Sequence, residues 1–210
     1  MTVDIAIPTY CRPQKLSWLI KSILVNDYPG YRIIIIPDYE RKHVFRLINE
    51  ASQKSDADIF LGISDDTEFE RDVIISAVSS MKEHFPDTDG IIYMNWLNLP
   101  NVCKGAIAFT GKKFRERFPD KFIYCPDYIS LYADDELGRY AESINKLAFC
   151  SDTGLHHYHP SAYPDQVDIT HKLGRVNQPH DLDVRSLRKA KGYLWGKDFN
   201  LVTTDLERIL

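Results

Sequence analysis

"ADIFLGISDDTEFERD" (residues 57–72) opens as a strand and ends as a knot of charge. The apolar part, ADIFLGI (57–63), has the length and composition of a buried strand. Asp65 and Asp66 follow at once, and Glu68, Glu70 and Asp72 come after them. Like charges this close repel, and one of a pair is often pushed toward its neutral form. The cluster therefore calls for solvent, a cation or a helix N-terminus just beyond.

Working outward, the same plan recurs. VDIAI (3–7) is a short β-rich run that stops at Pro8. Leu16, Leu19, Ile20, Ile23 and Leu24 then recur at helical spacing. YRIIIIPD (31–38) is uniformly branched and apolar, as a strand covered on both faces should be. Val44, Leu47, Ile48 and Ala51 mark a second helix. Val73, Ile74, Ala77, Val78 and Met81 mark a third, and GIIYMNW (90–96) is a fourth strand. Strand–helix alternation with short connections predicts an α/β fold: a Rossmann-like, mostly parallel sheet with helices on both faces. Ligands bind outside the carboxyl ends of such strands. The first three ends carry PTYCRP, PDYER and SDDTEFE, so all three polar clusters are expected on one rim.

The second half is less regular. GAIAFTGKKFRERF (105–118) reads as a strand, a Gly turn and a short helix. DDELGRYAESINK (134–146) reads as a helix with acids in its first turn, which the macrodipole favours. LAFCSDTGLHHYHP (147–160) suggests a strand with a His-rich exit. Residues 161–183, rich in Pro, Asp, His and Gln, read as a loop. Leu187, Ala190, Tyr193 and Leu194 support one more helix. The expected organisation is a catalytic domain over 1–160, with a nucleotide-binding half (1–100) and an acceptor half (101–160). A loop and helix over 161–210 pack on the same domain.

The 210 residues are 44% hydrophobic and 27% charged, which suits a globular domain with a sizeable core. A net charge of −4 gives no global footprint for a polyanion, although a local basic face is compatible with it. Cys11, Cys103, Cys125 and Cys150 show neither zinc-knuckle nor CxxC spacing and read as reduced thiols. The N-terminus lacks a signal-peptide pattern and no apolar run spans a bilayer, so the cytoplasm is the expected compartment. No GxGxxG follows the first strand and no GxxxxGK[ST] occurs, which argues against dinucleotide-binding and P-loop proteins.

IAIPTYCRPQKLSWLIKSIL (5–24) resembles the opening of family 2 glycosyltransferases of the GT-A fold. IIIIPDYE (33–40) resembles their second strand, whose terminal Asp reads the nucleotide base, and this implies that role for Asp38. IFLGISDDTEF (59–69) resembles the DxD region, with Ser64 in place of the first acid and Asp65 and Asp66 as the others. The resemblance implies that these carboxylates hold a divalent cation on the diphosphate of a nucleotide-sugar donor, a UDP-sugar first among them. YADDELGRYA (132–141) resembles the later acidic motif; it implies a catalytic base at Asp134, with Asp135 as the neighbouring choice. GLHHYHP (154–160) resembles the segment whose His can ligate the metal, leaving His157 and His159 as alternatives. Pro8, Thr9, Tyr10 and Arg12 would line the donor site.

Elementary chemistry runs the same way. A diphosphate needs its charge neutralised, and Mg²⁺ or Mn²⁺ commonly takes one or two carboxylates plus phosphates. An imidazole ligand suits Mn²⁺ better than Mg²⁺. An Asp that deprotonates the attacking hydroxyl implies a single displacement with inversion. The expected activity is sugar transfer to a hydroxyl acceptor: a glycan, a protein side chain or a hydroxymethylated base in DNA. The last would draw on a basic tail of Lys172, Arg175, Arg185, Arg188, Lys189 and Lys191. Two other readings compete. A sugar-phosphate nucleotidyltransferase would show a Gly-rich first loop, which IPTYCRP lacks. A non-catalytic sugar-nucleotide or glycan-binding module is mildly favoured by Ser64.

Overall fold

The computed structural model describes residues 1–99, 106–160 and 162–197. The strands are β1 (Val3–Thr9), β2 (Tyr31–Pro37), β3 (Ile59–Gly62), β4 (Thr67–Phe69), β5 (Ile91–Trp96), β6 (Ala108–Gly111) and β7 (Leu147–His157). The helices are α1 (Pro13–Leu24), α2 (Val44–Lys54), α3 (Val73–His84), α4 (Lys112–Arg115), α5 (Ala133–Ser143) and α6 (Ile169–Ala190). The strands form one sheet in the order β2-β1-β3-β6-β5-β7-β4.

The sheet is mixed. The long ladders β1–β2, β1–β3 and β5–β7 are parallel, whereas β3–β6, β5–β6 and β4–β7 are antiparallel. Because β6 is reversed between β3 and β5, the strands β1, β2, β3, β5 and β7 all run the same way. Their carboxyl ends share one rim, as expected.

Period-2 alternation distributes the core over both faces. Val3, Ile5, Ile7, Ile59, Leu61, Ile92 and Phe109 join α1 and α3 in one apolar cluster. Ala6, Phe60, Ile91 and Ala108 join α2, α5 and Val184 of α6 in the other. Helices therefore cover both faces.

Three readings are corrected. The Ile-rich β2 is not covered on both faces: it is the edge strand, and Ile35 is 45% exposed. Uniform hydrophobicity cannot distinguish an edge from a centre when one flank is left open. Residues 169–183 are not a loop but the greater part of α6, which has Pro179 inside it. Only Val184 of its buried residues is apolar; Asp181 and Arg188 are the others, so the helix carries no apolar stripe to read. The helix starts at Asp168, which accepts from the His171 backbone in a capping box.

Arg188 is likewise not a surface cation of a basic tail. It is 2% exposed and forks onto Glu136, with Nη2 donating to Oε1 at 2.7 Å and Nε to Oε2 at 2.9 Å. Among the described residues Cys11, Cys125 and Cys150 are unpaired thiols; Cys103, with Lys104 and Gly105, lies outside the described residues. No described helix is long and apolar enough to cross a membrane.

Candidate functional site

The rim gathers side chains from four parts of the chain. β1 delivers Thr9 at its last position, and the turn after it delivers Arg12, in front of Pro13 at the start of α1. The ladder from β1 to β3 continues one step past Gly62, with Ile63 N donating to Ala6 O at 3.0 Å. This holds Ser64, Asp65 and Asp66 against the end of β1.

β4 then turns back along β7, pairing Thr67 with His157, and Tyr158 N donates to Asp66 O at 2.8 Å. Register alone thus sets His157 beside Asp66. β7 reaches this point through a bulge. The β5 partner changes from Cys150 at Met94 to Gly154 at Asn95, and a Cβ on Gly154 would stand 2.5 Å from Asn95 O. Asn98 fixes the end of the strand, donating to His157 O at 2.8 Å and accepting from His157 N at 2.9 Å. Trp96, at the end of β5, stacks on the His157 ring with centroids 4.4 Å apart.

Asp65 and Asp66 are each 2% exposed. Asp65 accepts from Thr9 Oγ1 at 2.7 Å and from Arg12 Nη1 at 2.8 Å. Asp66 is engaged at both oxygens. Ser64 Oγ donates to Oδ1, and His157 Nε2 lies 3.2 Å from it. His171 Nε2 lies 3.0 Å and Arg12 Nη1 3.2 Å from Oδ2. The far side of the Arg12 guanidinium forks onto Asp168, at 2.8 Å from Nε and 2.9 Å from Nη2, and Lys15 Nζ adds 3.0 Å. Thr170 Oγ1 donates to Tyr10 O at 2.9 Å, so the first turn of α6 lies across the β1–α1 turn.

The electrostatics separate the two acids. Burial raises the Asp65 carboxyl above its ordinary value, against the pull of Arg12. Burial acts in the same direction on Asp66, but hydrogen bonds from His157 and His171 outweigh it and hold that carboxyl well below its ordinary value. Asp168 is also held down: Arg12 and the His171 backbone outweigh burial. Burial, then the neighbouring His157, lowers the His159 imidazole. Its ring stands 5.1 Å from that of His157 and 6.2 Å from that of His171.

Not every expected residue meets this cluster. Asp38 lies on the same rim, since its N donates to Thr9 O at 2.9 Å. Its carboxylate accepts from Lys42 N at 2.6 Å and His43 N at 3.2 Å, closing the turn before α2. Pro8 pairs with Ile36 inside the ladder, and the Tyr10 ring carries the Arg41 guanidinium 5.6 Å from its centroid. Asp134 and Asp135 occupy the first turn of α5. The ion pairs of Asp135 run to Arg185 at 3.2 Å, Arg139 at 3.7 Å and Lys189 at 3.9 Å. Arg185 is 14 residues beyond His171 on α6, a rise of about 21 Å.

His171, Asp168 and Lys15 are the residues that sequence reasoning missed. The D-x-x-H spacing of a helix start was the signal that could have found the first two.

Asp66 and the imidazoles of His157 and His171 are the donors that a divalent ion would draw on here. One carboxylate with imidazoles on either side is the ligand chemistry of Mn²⁺ or Zn²⁺ more than of Mg²⁺. Among the described residues no three His, Cys, Asp or Glu side chains are preset around a common point. An ion would therefore enter by taking over the contacts that Ser64, Arg12 and the imidazoles now make with the Asp66 oxygens.

Sheet order, helices on both faces and an acidic rim define a GT-A-like α/β fold. Solved structures similar to it in fold include those of TarS from S. aureus, a glycosyltransferase. One TarS structure matches with a TM-score of 0.57 at 12% identity, over 87% of this chain and 43% of that one. The 1–349 piece of TarS matches with a TM-score of 0.60 at 13% identity, over 99% of this chain and 77% of the piece. The same piece in complex with UDP-GlcNAc matches with a TM-score of 0.57 at 13% identity, over 74% of this chain and 57% of that one. The chain thus spans under half of the longer TarS chain, and at such identity the likeness is one of fold. No protein-family model matches the sequence, and no curated protein is similar to it by sequence.

Proposed function

We propose that this chain is a glycosyltransferase that moves a sugar from a UDP-sugar to a hydroxyl acceptor. The observation that carries the reading is the meeting of Thr9, Arg12, Asp65, Asp66 and His157 at the carboxyl ends of β1, β3 and β7. Ligands of open α/β sheets bind on this rim. The TarS likeness adds support, because its structures include complexes with UDP-GlcNAc and UDP.

In this reading Pro8, Thr9, Tyr10 and Asp38 line the nucleoside end. Asp65 is an anchor: with its Oδ2 held by Thr9 and its Oδ1 by Arg12, it locks the turn that carries them. Asp66, with His157 and His159 as the imidazole choices, holds Mn²⁺ or Mg²⁺. That ion would supply charge neutralisation and Lewis-acid polarisation at the leaving diphosphate. Asp134, or its neighbour Asp135, would take the proton of the attacking hydroxyl where substrate binding brings the first turn of α5 to the donor rim, and the transfer would then be a single displacement with inversion. The expected place of action is the cytoplasm.

The test is a thermal-shift panel of nucleoside diphosphates, each with and without Mn²⁺. At 100 times its dissociation constant a ligand adds about 2.7 kcal/mol of stability. UDP with Mn²⁺ should give the largest shift, and Asp66→Ala should abolish it. A flat response across the panel would remove the glycosyltransferase reading.

A further inference from the structure

The rim that the proposed function gives to the donor is closed. Arg12, Asp65 and Asp66 are all buried, although ligands of such sheets bind at this edge. What covers them is the first turn of α6. Asp168 meets Arg12 and Lys15, Thr170 meets the Tyr10 carbonyl, and His171 meets Asp66. We infer that Arg12 and Lys15 form a subsite for a phosphate or diphosphate group, that Asp168 fills it as an internal anion, and that the first half of α6 is a strap which the incoming anion displaces. This rests on reading the rim as the site of a nucleoside diphosphate, and the experiment below keeps the two apart.

The chemistry of the two cations is the first support. Asp168 takes the Nε–Nη2 edge of Arg12 at 2.8 and 2.9 Å, and Lys15 Nζ stands 3.0 Å away. That fork fits a phosphate as well as a carboxylate. Arg12 and Lys15 occupy the N-cap and the third position of α1, whose first turn holds no acid and whose cap makes no side-chain hydrogen bond. The positive end of the helix adds to both cations. Their counter-charge comes instead from a residue 156 positions along the chain.

Arg12 can also change partners at that edge alone. Its Nη1 lies 2.8 Å from Asp65 and 3.2 Å from Asp66. If Asp168 leaves, the buried acids keep this counter-charge, and Asp66 keeps Ser64 and His157. His171 goes with the strap: its Nδ1 accepts from Asp168 N at 3.3 Å, so Nε2–H is the group that donates to Asp66 at 3.0 Å. The Asp168 side chain is 27% exposed, so the place it would vacate reaches the surface.

The build of α6 is the third support. Its buried residues, Asp181, Val184 and Arg188, all lie in the second half, where Asp181 accepts from three backbone N–H groups and Arg188 forks onto Glu136. Residues 169–180 bury nothing. Within that stretch Gly174 lies in open space and Pro179 removes a helical hydrogen bond, which makes it the place to bend. Asn177, donating to Ser130 Oγ at 3.1 Å, is a tether there. A strap anchored at its far end and held at its near end by exchangeable polar contacts can lift without loss of the fold.

The experiment titrates sodium pyrophosphate and, separately, UDP into the full chain by calorimetry. A strap closed about nine-tenths of the time weakens the apparent affinity about 10-fold relative to the open form. Asp168→Asn keeps a competent cap and gives up the charge, so it should tighten pyrophosphate binding by about 10-fold. Asp165→Asn, which neutralises an exposed acid of the same segment, should bind as wild type. Adding Lys15→Gln to Asp168→Asn should reverse most of the gain. Pyrophosphate binding no tighter in Asp168→Asn than in wild type, or an equal gain in Asp165→Asn, would overturn the inference.

Hydrogen exchange on the unaltered protein guards against a misfolded variant. Pyrophosphate should speed exchange at His171 and Lys172, whose N–H groups bond to Asp168, because a helix end released from the sheet frays. Unchanged or slower exchange there with pyrophosphate bound would also overturn the inference. UDP that binds Asp168→Asn no more tightly than pyrophosphate does would sink the glycosyltransferase reading and leave the anion subsite standing. UDP preferred over pyrophosphate, with an affinity that Asp168→Asn leaves unchanged, would do the reverse.

Discussion

Two buried carboxylates, Asp66 on the sheet rim and Glu136 in α5, meet arginines in opposite ways. Glu136 is 0% exposed. It takes the fork of Arg188, the Tyr128 hydroxyl at 3.0 Å and Trp195 N at 2.5 Å. Asp127 accepts from the remaining Arg188 nitrogen at 3.3 Å. Every partner is a permanent protein group, and the cluster is sealed between α5, α6 and the turn after α6. Asp66 is as deeply buried, but two of its four neighbours are imidazoles that reach the surface, with side chains 18% and 10% exposed. Imidazoles can trade a proton or a carboxylate contact for a metal, whereas a forked guanidinium cannot. Burial is common to both carboxylates; what separates Asp66 from Glu136 is that two of its partners can be exchanged.

The largest effect should come from breaking the sealed cluster. Arg188→Ala leaves Glu136 buried without its counter-charge, which costs about 3–5 kcal/mol. Urea unfolding should show that loss, or no cooperative fold at all. Arg188→Ala that remains as stable as wild type would mean that water reaches Glu136 and that the contrast with Asp66 is unfounded.

Asp134, Asp135 and Glu136 are consecutive acids with different surroundings, which sharpens the comparison within one helical turn. Glu136 is sealed, Asp135 faces three cations, and Asp134 Oδ1 accepts from Asp135 N at 3.0 Å. If Asp134 is the base, Asp134→Asn should lower turnover about 10²- to 10⁴-fold with donor affinity kept. Asp135→Asn should then leave turnover within a few-fold. Steady-state rates and a UDP titration on both variants distinguish them, and the reverse ranking would move the base to Asp135.

Acid provides a milder break. Burial raises Asp168, but Arg12, the His171 backbone and Lys15 pull its carboxyl well below the ordinary 3.8. A carboxyl with a depressed folded value contributes stability above its unfolded value and loses it as pH falls through the folded one. The contribution is therefore whole at neutral pH and declines from about pH 4 downward. Asp168→Asn keeps a competent cap but has no charge to lose, so its stability should fall less steeply between pH 5 and pH 2 in urea titrations. Parallel slopes for variant and wild type would show that the Arg12 fork carries no net stabilisation.

These experiments bear on how much of the molecule its sequence makes legible. The strands and helices up to β5 follow from periodicity, because apolar burial on two faces writes itself into spacing. The exception before β5 is β4, three residues long and set inside the acidic run, where charge hides the strand. The place of Asp65 and Asp66 on the rim is legible because they follow a strand, whereas His157, the last residue of β7, is one of two choices that only the resemblance offers. His171 and Asp168 are not legible, because α6 is held by polar contacts: Asp181 accepts from Ile129 N, Ser130 N and Leu131 N, each at 2.8 Å. Hydropathy is blind to such a helix.

β2 shows the opposite failure, and it yields the smallest predicted effect. Ile33, Ile34, Ile35 and Ile36 look alike in sequence, yet their strand is the sheet edge, and Ile35 is 45% exposed while Ile5, on the neighbouring strand, is 0% exposed. Ile35→Lys should change stability by no more than about 0.5 kcal/mol, as surface substitutions do. A charge there would also discourage edge-to-edge pairing. Ile5→Ala should cost about 2–5 kcal/mol through lost burial and the cavity left behind. Matched urea curves test the pair. If Ile35→Lys proved as damaging as Ile5→Ala, β2 would have to be covered in solution, and the uniform run of isoleucines would regain its first reading as a strand buried on both sides.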